Sequence, residues 1–363
     1  MDTEKIIKKA RVWVDGCFDM VHFGHANVFR QAKMLGDYIV VGVHSDEEIT
    51  KAKGPPVFNE NERYKMVRSI KWVDEVVEDS PYLPTAELLD RYKCDFAIHG
   101  EDISLTHDGH DAYQNLKDGG RYKEVCRTQG ISTTNIIERM LKIGNPDKGR
   151  PNTKEGNNNF SNLQQTTSTD TAPHFLTVKE IAEFTTFREI KTSDKVVYVA
   201  GAFDCFHIGH LSLLEKAATI GSYIIVGLHS DSDVCRYMGH KYPVMNLNER
   251  MLGASACRYV DDVVVGAPYV ISKELLSYLK IDVVLHDNNI PIPTKELSID
   301  PYEEPKRQGI FQLVDTEQSL TTPELVARVT EQWEMYRGRN SKKQLREIRI
   351  HGNGKKNSGH ITG

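Results

Sequence analysis

The sequence carries one ten-residue stretch twice, and this duplication constrains the fold more than any other feature. The first copy reads Gly-Cys-Phe-Asp-Met-Val-His-Phe-Gly-His from Gly16 to His25. The second starts 185 residues later and reads Gly-Ala-Phe-Asp-Cys-Phe-His-Ile-Gly-His from Gly201 to His210. Each copy follows an apolar segment typical of a strand and leads into a segment with helical periodicity. Each is therefore predicted to be a glycine turn before a helix N-terminus, where free N–H groups and the helix dipole favour a phosphate.

The similarity between the two halves extends well beyond this motif. The matching segments are Gly42 to Asp46 with Gly227 to Asp231, Asn61 to Arg63 with Asn248 to Arg250, Trp72 to Val77 with Tyr259 to Val264, Pro81-Tyr82 with Pro268-Tyr269, Asp111 to Tyr113 with Asp300 to Tyr302, and Thr133-Thr134 with Thr321-Thr322. A period this long indicates a duplicated domain and not a solenoid of short repeats.

The repeat also predicts where the domains lie in the 363-residue chain. An N-terminal domain is expected at 8–145 and a C-terminal domain at 176–337. Residues 146–175 are polar with few apolar side chains, which predicts a flexible linker. Residues 338–363 are basic and glycine-rich. We expect a solvated tail there and not a membrane-binding helix, because the apolar residues are too sparse.

Charge and cysteine content exclude several classes of protein. A net charge of −5 argues against nucleic acid as the main partner. The six cysteines contain no Cys-x-x-Cys pair, so neither a zinc site nor a disulfide framework is expected, and no set of protein metal ligands is predicted. No signal peptide or integral membrane segment is visible. Reduced thiols and these absences favour a cytoplasmic protein.

Strands and helices alternate along the first half. Strands are predicted at 12–14, 38–43, 75–78 and 95–99, and helices at 25–35, 61–72, 85–92 and 134–142. This alternation predicts an α/β fold with a parallel sheet covered on both faces. Ligands of such sheets bind beyond the carboxyl ends of the strands, so Gly16, His22 and His99 are expected to meet at one edge.

These motifs together resemble a known family. His-x-Gly-His after a glycine turn, with a distant Ser132-Thr133-Thr134, resembles the nucleotidyltransferase superfamily. With Arg127 to Thr134 and Asn61 to Arg63 added, the chain is similar to the cytidylyltransferases of phospholipid synthesis. Two such domains, without a lipid-binding helix after the first, resemble the members of that family that act on phosphoethanolamine.

The resemblance implies two tandem Rossmann-like domains, each a parallel sheet with helices on both faces. It implies that CTP and phosphoethanolamine react to give CDP-ethanolamine and pyrophosphate, with Mg²⁺ accompanying CTP. It further implies that the two domains pair within the chain, as these domains do in the family, and leaves a homodimer open.

The resemblance assigns catalytic roles to His22, His25, Lys53 and Arg127. In-line attack on the α-phosphate needs positioned anions and neutralised charge, and no covalent nucleophile. The histidines would donate hydrogen bonds, and Lys53 would reach over from a glycine- and proline-rich loop as a mobile cation. The full set implied for CTP is Gly16, Cys17, Phe18, His22, His25, Lys53, His99, Gly100, Arg127, Gly130, Ile131, Ser132, Thr133 and Thr134.

The candidates for the ammonium pocket are Asp15, Tyr82, Asp102 and Tyr113. Carboxylates and aromatic faces suit a small cation. A primary ammonium also needs hydrogen-bond acceptors, which a quaternary choline headgroup does not.

Taken alone, each motif also fits an ordinary structural role. Ser132 to Thr134 would then be a helix N-cap, Asn61 to Arg63 a helix start with a structural Arg63, and Lys53 a loop lysine. Only their joint occurrence, in order and at matching spacing, favours the functional interpretation.

The two halves differ at several of these positions. By sequence alignment, Ala200 replaces Asp15, His240 stands at the position of Lys53, Asp315 aligns with Arg127, and Leu320 aligns with Ser132. We therefore expect catalysis in the first half, with the second binding a cytidine nucleotide weakly or only completing the pair. Its candidate residues are Ala202, Phe203, His207, His210, His286, Asp287, Asn288, Asn289, Gln318, Ser319, Leu320, Thr321 and Thr322.

Three alternatives compete with this interpretation. The same transfer could use another acceptor, such as phosphocholine or glycerol phosphate, and the chain could be a nucleotide-binding regulator without turnover. A class I aminoacyl-tRNA synthetase is excluded, because no Lys-Met-Ser-Lys-Ser follows His207 to His210 and the net charge is wrong for tRNA.

Overall fold

The computed structural model describes residues 10–101, 110–144, 178–185, 188–292 and 299–354, with backbone alone for 178–180 and 344–354. The predicted linker at 146–175 and the candidate Asp102 therefore lie outside the described residues.

The first repeat is a five-stranded parallel sheet with helices between the strands. Its strands are β1 (Arg11–Gly16), β2 (Tyr38–Val43), β3 (Glu75–Glu78), β4 (Phe96–Gly100) and β5 (Tyr122–Val125). Its helices are α1 (Phe23–Leu35), α2 (Asp46–Lys53), α3 (Glu60–Arg68), α4 (Ala86–Arg91), α5 (Gln114–Asp118) and α6 (Thr133–Gly144). The strand order β3-β2-β1-β4-β5 reverses direction at β1. That reversal is the topological switch point where such sheets bind ligands.

The second repeat follows after α7 (Val178–Phe184) and has the same topology. Its strands are β6 (Val196–Gly201), β7 (Tyr223–His229), β8 (Asp262–Ala267), β9 (Val283–Asp287) and β10 (Phe311–Val314). Its helices are α8 (Ile208–Ile220), α9 (Asp231–Met238), α10 (Leu247–Ser255), α11 (Lys273–Tyr278), α12 (Glu303–Arg307) and α13 (Thr322–Glu331). The order β10-β9-β6-β7-β8 places β6 at the equivalent switch point. The predicted α/β fold with tandem Rossmann-like sheets is confirmed.

Sequence analysis missed three elements of the first repeat, namely β5, α2 and the five-residue helix α5. β5 is a polar edge strand, Tyr-Lys-Glu-Val, without the apolar run that marks a buried strand. α2 is a surface helix with one buried residue, Ile49, and it begins at the cap Ser45. Lys53 is the last residue of α2 and does not lie in a loop, so the predicted loop begins one residue later, at Gly54.

The prediction of a solvated tail from residue 338 is wrong for the part that the structure describes. A helix, α14 (Trp333–Gly354), occupies it. Tyr336 and Asn340 are both buried on this helix. Two buried positions four residues apart are enough to dock a helix that looks too polar by composition. Within the described residues, no helix has the length and apolar content needed to cross a membrane.

The two repeats share one hydrophobic core cluster, which contains residues of α1, α3 and α6 as well as α8, α10 and α13. The helices α6 and α13 cross so closely that a Cβ on Gly144 would lie 2.1 Å from Thr330 Cγ2. Ile70 and Cys257 form an antiparallel bridge between the repeats.

Two reciprocal ion pairs join the repeats. Arg139 of α6 donates to both carboxylate oxygens of Glu249, at 2.7 and 2.9 Å. Arg328 of α13 donates to both oxygens of Glu62, at 2.7 and 3.1 Å. Both carboxylates are buried and lie in the first turn of their helix, where they also cap its start. Each repeat thus holds the start of a helix in the other.

Candidate active site

The turn after β1 has an unusual backbone. Phe18 and Met20 have φ values of 51° and 49°, and Phe203 and Cys205 repeat them at 48° and 49° after β6. Non-glycine residues in this left-handed region cost roughly 1–3 kcal/mol each and persist only where neighbouring groups hold them. The same strain in both copies indicates that contacts around the turn hold it in this conformation.

Asp19 holds this turn in place. Its buried carboxylate accepts hydrogen bonds from the N–H groups of Val57 and Phe58, at 2.9–3.0 Å. Its carbonyl oxygen accepts one from Thr133 Oγ1 at 3.0 Å. Asp19 therefore joins the histidine turn, the segment after Lys53 and the start of α6. The sequence analysis missed it, although an aspartate recurs at this place as Asp204.

Arg63 has a structural role, which is one of the two roles that the sequence allows for it; the other is nucleotide binding. Its side chain is 0 % exposed and donates to the carbonyls of Cys17 and Phe58 at 2.7 and 3.2 Å, and to Asp46 at 2.8 Å. Its donors stabilise the turn from behind and do not face the histidines.

His22 and His25 begin α1 with their rings stacked, at a centroid distance of 3.9 Å. His22 Nδ1 accepts from the N–H of Gly24 at 3.1 Å, and His25 Nδ1 accepts from the N–H of His22 at 3.3 Å. Because both Nδ1 atoms are acceptors, each neutral ring carries its proton on Nε2. The two imidazoles are thereby fixed as Nε2–H donors.

Both histidines are uncharged in the free protein near neutral pH. Burial lowers the pKa of His25 to about 3. Burial also lowers the pKa of His22, and the charges of Lys343 and Arg127 lower it further. The pair therefore acts through hydrogen bonds and not as two cations. Gly24 leaves room for the His22 ring and for Ile131, because a Cβ there would lie 2.8 Å from His22 Cε1 and 3.0 Å from Ile131 Cγ2.

Two predicted cations lie near this pair. Lys53 Nζ is 5.7 Å from the centroid of the Tyr82 ring, and its charge lowers the pKa of His25 and of Asp15. The charge of Arg127 likewise lowers the pKa of His22. The positive charge at the site is thus local, as an acidic protein with an anionic ligand requires.

The predicted Ser132-Thr133-Thr134 segment begins α6 beside the turn. Ser132 Oγ accepts from the N–H of Asn135 at 3.1 Å, so it is a helix cap that can still donate its own proton. Thr133 is bound to Asp19, and the carbonyl of Thr134 accepts from Asn340 of α14 at 3.2 Å. Gly130, with φ of 79°, makes the turn before this helix.

A second cluster lies at the ends of β1 and β4. Tyr113 donates to Asp15 Oδ1 at 2.6 Å, and Tyr113 packs against the ring of His99 at 4.8 Å. Asp15 is buried, and its Oδ2 has no hydrogen-bond partner among the described residues. Burial raises the pKa of Asp15 to about 6, although the Tyr113 hydroxyl opposes this. The cluster offers an unused carboxylate acceptor in a low-dielectric setting.

His44 is the second residue that the sequence analysis missed. It is buried at the end of β2, with its ring 5.3 Å from that of Tyr82. Its Nδ1 lies 3.0 Å from the carbonyl of Ser80, which can only accept, so the proton is on Nδ1 and Nε2 is an acceptor. Burial lowers the pKa of His44 to about 4, so it stays neutral. The signal in the sequence is the repeated Gly-x-His-Ser-Asp, which by itself indicates only that the domain is duplicated.

Among the residues that the structure describes, the predicted site residues of the first repeat thus lie beyond the carboxyl ends of its parallel strands. Gly16, Cys17 and Phe18 form the turn, His99 and Gly100 end β4, and Asp15, Tyr82 and Tyr113 surround the second cluster.

The structural correspondence between the repeats corrects the sequence alignment in two segments. In the first, the sequence pairs Thr133-Thr134 with Thr321-Thr322, which is one residue away from the structural correspondence. Thr322 Oγ1 donates to the carbonyl of Asp204 at 3.0 Å, as Thr133 does to Asp19, and Thr321 caps its helix as Ser132 does. Leu320 therefore corresponds to Ile131, and Thr316, not Asp315, stands at the position of Arg127.

The second correction concerns the lysine position. Gly54 and Gly239 both end their helix with positive φ, 88° and 94°. Met238 therefore corresponds to Lys53, and His240 lies two residues beyond it. The extra residues that misled the alignment follow these glycines, where sequence identity is low.

The second repeat joins its own side chains at the position that corresponds to Arg127. Thr316 Oγ1 donates to Asp287 at 2.6 Å, and Asn288 Nδ2 donates to Asp315 at 3.0 Å, which ties the loops after β9 and β10 together. At the histidine turn, a Cβ on Gly209 would lie 2.1 Å from the carbonyl oxygen of Leu320.

The counterpart of the Asp15 cluster is filled with aromatic side chains. The Tyr237 hydroxyl lies 3.1 Å from His229 Nδ1, and its ring packs 5.5 Å from that of Tyr269. Tyr302 bonds to His286 at 3.0 Å, because Ala200 offers no carboxylate. His207 and His210 keep their stacked pair at 3.8 Å.

Comparison with known proteins agrees with this geometry. The model of the cytidylyltransferase-like family matches residues 13–139 and 198–312, once in each repeat. Ethanolamine-phosphate cytidylyltransferase from Mus musculus is 46 % identical, over 93 % of this chain and 90 % of the relative. The enzyme of the same name from Dictyostelium discoideum is 45 % identical, over 96 % and 98 %.

A relative with a different acceptor in its name matches less of the chain. Choline-phosphate cytidylyltransferase A from Mus musculus is 44 % identical, but over only 37 % of this chain and 37 % of the relative.

Proposed function

The chain belongs to the cytidylyltransferase-like family, and within it to the ethanolamine-phosphate cytidylyltransferases, and on that premise we propose that its first repeat carries the chemistry. The reaction transfers CMP from CTP to phosphoethanolamine and gives CDP-ethanolamine, a phospholipid precursor, and pyrophosphate. The assignment of the reaction to one repeat, and of roles to single residues, is the part that we propose.

The observation that carries the proposal is the histidine pair at the start of α1. Two Nε2–H donors, fixed in tautomer by backbone N–H groups, lie at a helix N-terminus on the switch point of the sheet. This arrangement suits phosphate oxygens that gain charge during the transfer. Lys53 and Arg127 add positive charge to the same place.

The chemistry needs no covalent intermediate. A phosphate oxygen of phosphoethanolamine attacks the α-phosphorus of CTP, and the bond to the β-phosphate breaks as pyrophosphate leaves. The attacking oxygen is already anionic, so no general base is required. His22 and His25 hydrogen-bond the phosphate chain, Lys53 lies between that chain and the acceptor, and Arg127 with Ser132 binds the leaving phosphates.

The second cluster supports a primary ammonium as the acceptor's cationic group. Asp15 Oδ2 and His44 Nε2 are acceptors, and Tyr82 presents an aromatic face beside His44. A primary ammonium has three N–H donors to satisfy, whereas a quaternary ammonium has none and would leave the buried Asp15 Oδ2 unpaired. This is the physical reason for choosing phosphoethanolamine over phosphocholine.

We expect Mg²⁺ to enter the site with CTP and to neutralise charge on the phosphates when bound. In the described part of the chain, no cluster of three or more His, Cys, Asp or Glu side chains could hold a metal ion. The ion would therefore take most of its ligands from phosphate and water, which is how Mg²⁺ commonly binds with nucleotides.

We also propose that the repeats form an intramolecular pseudo-dimer in which the second does not turn over. The reciprocal ion pairs and the shared core support the pairing. Three replacements support the loss of turnover. Tyr237 lies at the position of the acceptor pocket, and Met238 and Thr316 stand at the positions of the two cations.

All six cysteines lie in described residues as free thiols, which supports a cytoplasmic location.

The test is a panel of acceptors. Purified protein is incubated with CTP, Mg²⁺ and phosphoethanolamine, phosphocholine or glycerol phosphate, and both pyrophosphate and the CDP-alcohol are measured. We expect kcat/KM to be highest for phosphoethanolamine. A preference for phosphocholine would overturn the assignment of the acceptor, and no turnover with any acceptor would favour a nucleotide-binding regulator.

A further inference from the structure

The four residues after Gly54, Pro55 to Phe58, link the end of α2 to the cap of α3. Every backbone polar group of this segment is hydrogen-bonded. Asp19 binds the N–H groups of Val57 and Phe58, and Arg63 donates to the carbonyl of Phe58. The two prolines have no N–H, so the three remaining groups are the carbonyls of Pro55, Pro56 and Val57.

All three of these carbonyls are bound by the second repeat. Arg339 donates to the Pro55 carbonyl at 2.8 Å, and the Tyr336 hydroxyl donates to that of Pro56 at 3.1 Å. Arg328 donates to that of Val57 at 3.2 Å. The donors come from α13 and α14, more than 270 residues further along the chain.

Arg339 makes the most extensive contact. Its side chain also forms an ion pair with Asp19 at 3.4 Å, and its Cδ lies 3.5 Å from where a Cβ on Gly54 would be. It thus touches the residue next to Lys53 and the residue that holds the histidine turn. One turn further along α14, the charge of Lys343 reaches both His22 and His25 and lowers their pKa values.

We propose that α14 of the second repeat is part of the first site, where Arg339 and Tyr336 fix the Pro55 to Phe58 segment and so position Lys53. This inference rests on the proposed function of Lys53. It gives the second repeat a role that needs no nucleotide of its own. Arg339 is a positioning residue, since it acts through Lys53.

The physical reason lies in the end of α2. Gly54, with φ of 88°, leaves the helix at a sharp angle, and two prolines without N–H groups follow it. This stretch cannot form a backbone ladder of its own, so its direction depends on donors from elsewhere. A lysine at the end of a helix whose exit is unfixed samples many positions, and its electrostatic contribution to the transition state falls accordingly.

The test is a double-mutant cycle between Arg339 and Lys53 in the full-length protein. We expect Arg339→Ala to lower kcat/KM for CTP about tenfold, and to have little further effect in a Lys53→Ala background. Arg337→Ala is the matched control. It removes the same charge from the same helix, but Arg337 is exposed and packs on Trp333. It is expected to keep wild-type activity.

An Arg339→Ala effect of equal size in both backgrounds would overturn the proposal, because a general loss of structure acts independently of Lys53. Tyr336→Phe keeps the packing and removes only the bond to Pro56. The Tyr336→Phe variant replaces Arg339→Ala in the cycle if Arg339→Ala does not fold. We expect it to lower kcat/KM for CTP by a smaller factor, and to have no effect in the Lys53→Ala background.

A second readout does not depend on turnover. Limited digestion with endoproteinase Lys-C, followed by mass spectrometry, measures cleavage after Lys53. We expect faster cleavage there in Arg339→Ala than in wild type or Arg337→Ala, with other sites unchanged. Equal cleavage rates at Lys53 would contradict the inference. A failure of the proposed function would instead appear as wild-type protein that forms no CDP-ethanolamine.

Discussion

Replacing His22 or His25 by alanine is expected to lower kcat about 10²–10⁴-fold while the protein stays folded. Each substitution removes one Nε2–H donor from the phosphates and leaves the helix N-terminus in place. Each substitution also removes one cap of a backbone N–H at the start of α1, so the temperature of unfolding should fall by only a few degrees. Steady-state kinetics with CTP and phosphoethanolamine, together with thermal unfolding, measure both quantities.

The protonation state gives this prediction a second part. Burial lowers the pKa of His25 to about 3 and lowers that of His22 as well, so neither ring takes up a proton in the free enzyme between pH 6 and 8. We therefore expect no rise in kcat/KM as the pH falls through 6.5, the usual histidine range. Kinetics within tenfold of wild type for both alanine variants would remove the pair from catalysis.

Lys53→Ala and Arg127→Ala should have the next largest effect, a loss of roughly 10²-fold in kcat/KM for CTP. Both side chains place positive charge near the histidines, where the transferred and leaving phosphates would lie. KM for phosphoethanolamine should change less. Lys51→Ala is the matched control, because Lys51 lies on the same helix but is 64 % exposed and pairs with Glu47.

The same variant distinguishes a position of Lys53 beside the CTP phosphates from a position beside the acceptor. Its ammonium lies near Tyr82, which is a candidate for the acceptor pocket, as well as near His25. A raised KM for phosphoethanolamine with CTP kinetics unchanged would place Lys53 with the acceptor and reverse the assignment.

Much of the fold could be predicted because the informative residues are local. Buried parallel strands such as Tyr38–Val43 are apolar runs, and that strand was predicted to the residue. Parallel strands end at the same edge of a sheet, so His22 and His99 could be placed together from their positions alone. The duplication then doubled the evidence for each motif, and the relatives confirm the family.

What the sequence did not reveal depends on contacts between distant residues. α2 and β5 are polar elements whose stability comes from packing, and their own pattern is weak. Asp19 and His44 matter through bonds to Val57 and Ser80, 38 and 36 residues away. The helix α14 resembled a solvated tail because its described part has few fully buried side chains, Tyr336 and Asn340 among them.

The comparison of the two repeats depended on the same kind of contact. Sequence alignment paired Arg127 with Asp315, which suggested charge reversal. The bonds of Thr133 to Asp19 and of Thr322 to Asp204 show that Thr316 holds the position instead. The second site therefore loses its cations by neutral replacement, Met238 for Lys53 and Thr316 for Arg127, and it closes its loops with the bonds that this allows.

The most direct test of this division of labour compares two double variants in one assay of CDP-ethanolamine formation, at saturating CTP and phosphoethanolamine. The first is His22→Ala with His25→Ala, and the second is His207→Ala with His210→Ala. Both remove a stacked histidine pair from the same strand-to-helix turn, so each controls for the structural cost of the other. We expect the first variant to be inactive and the second to keep most of the wild-type kcat. A second variant as inactive as the first would show that the second site is essential, which would contradict the assignment of catalysis to the first repeat.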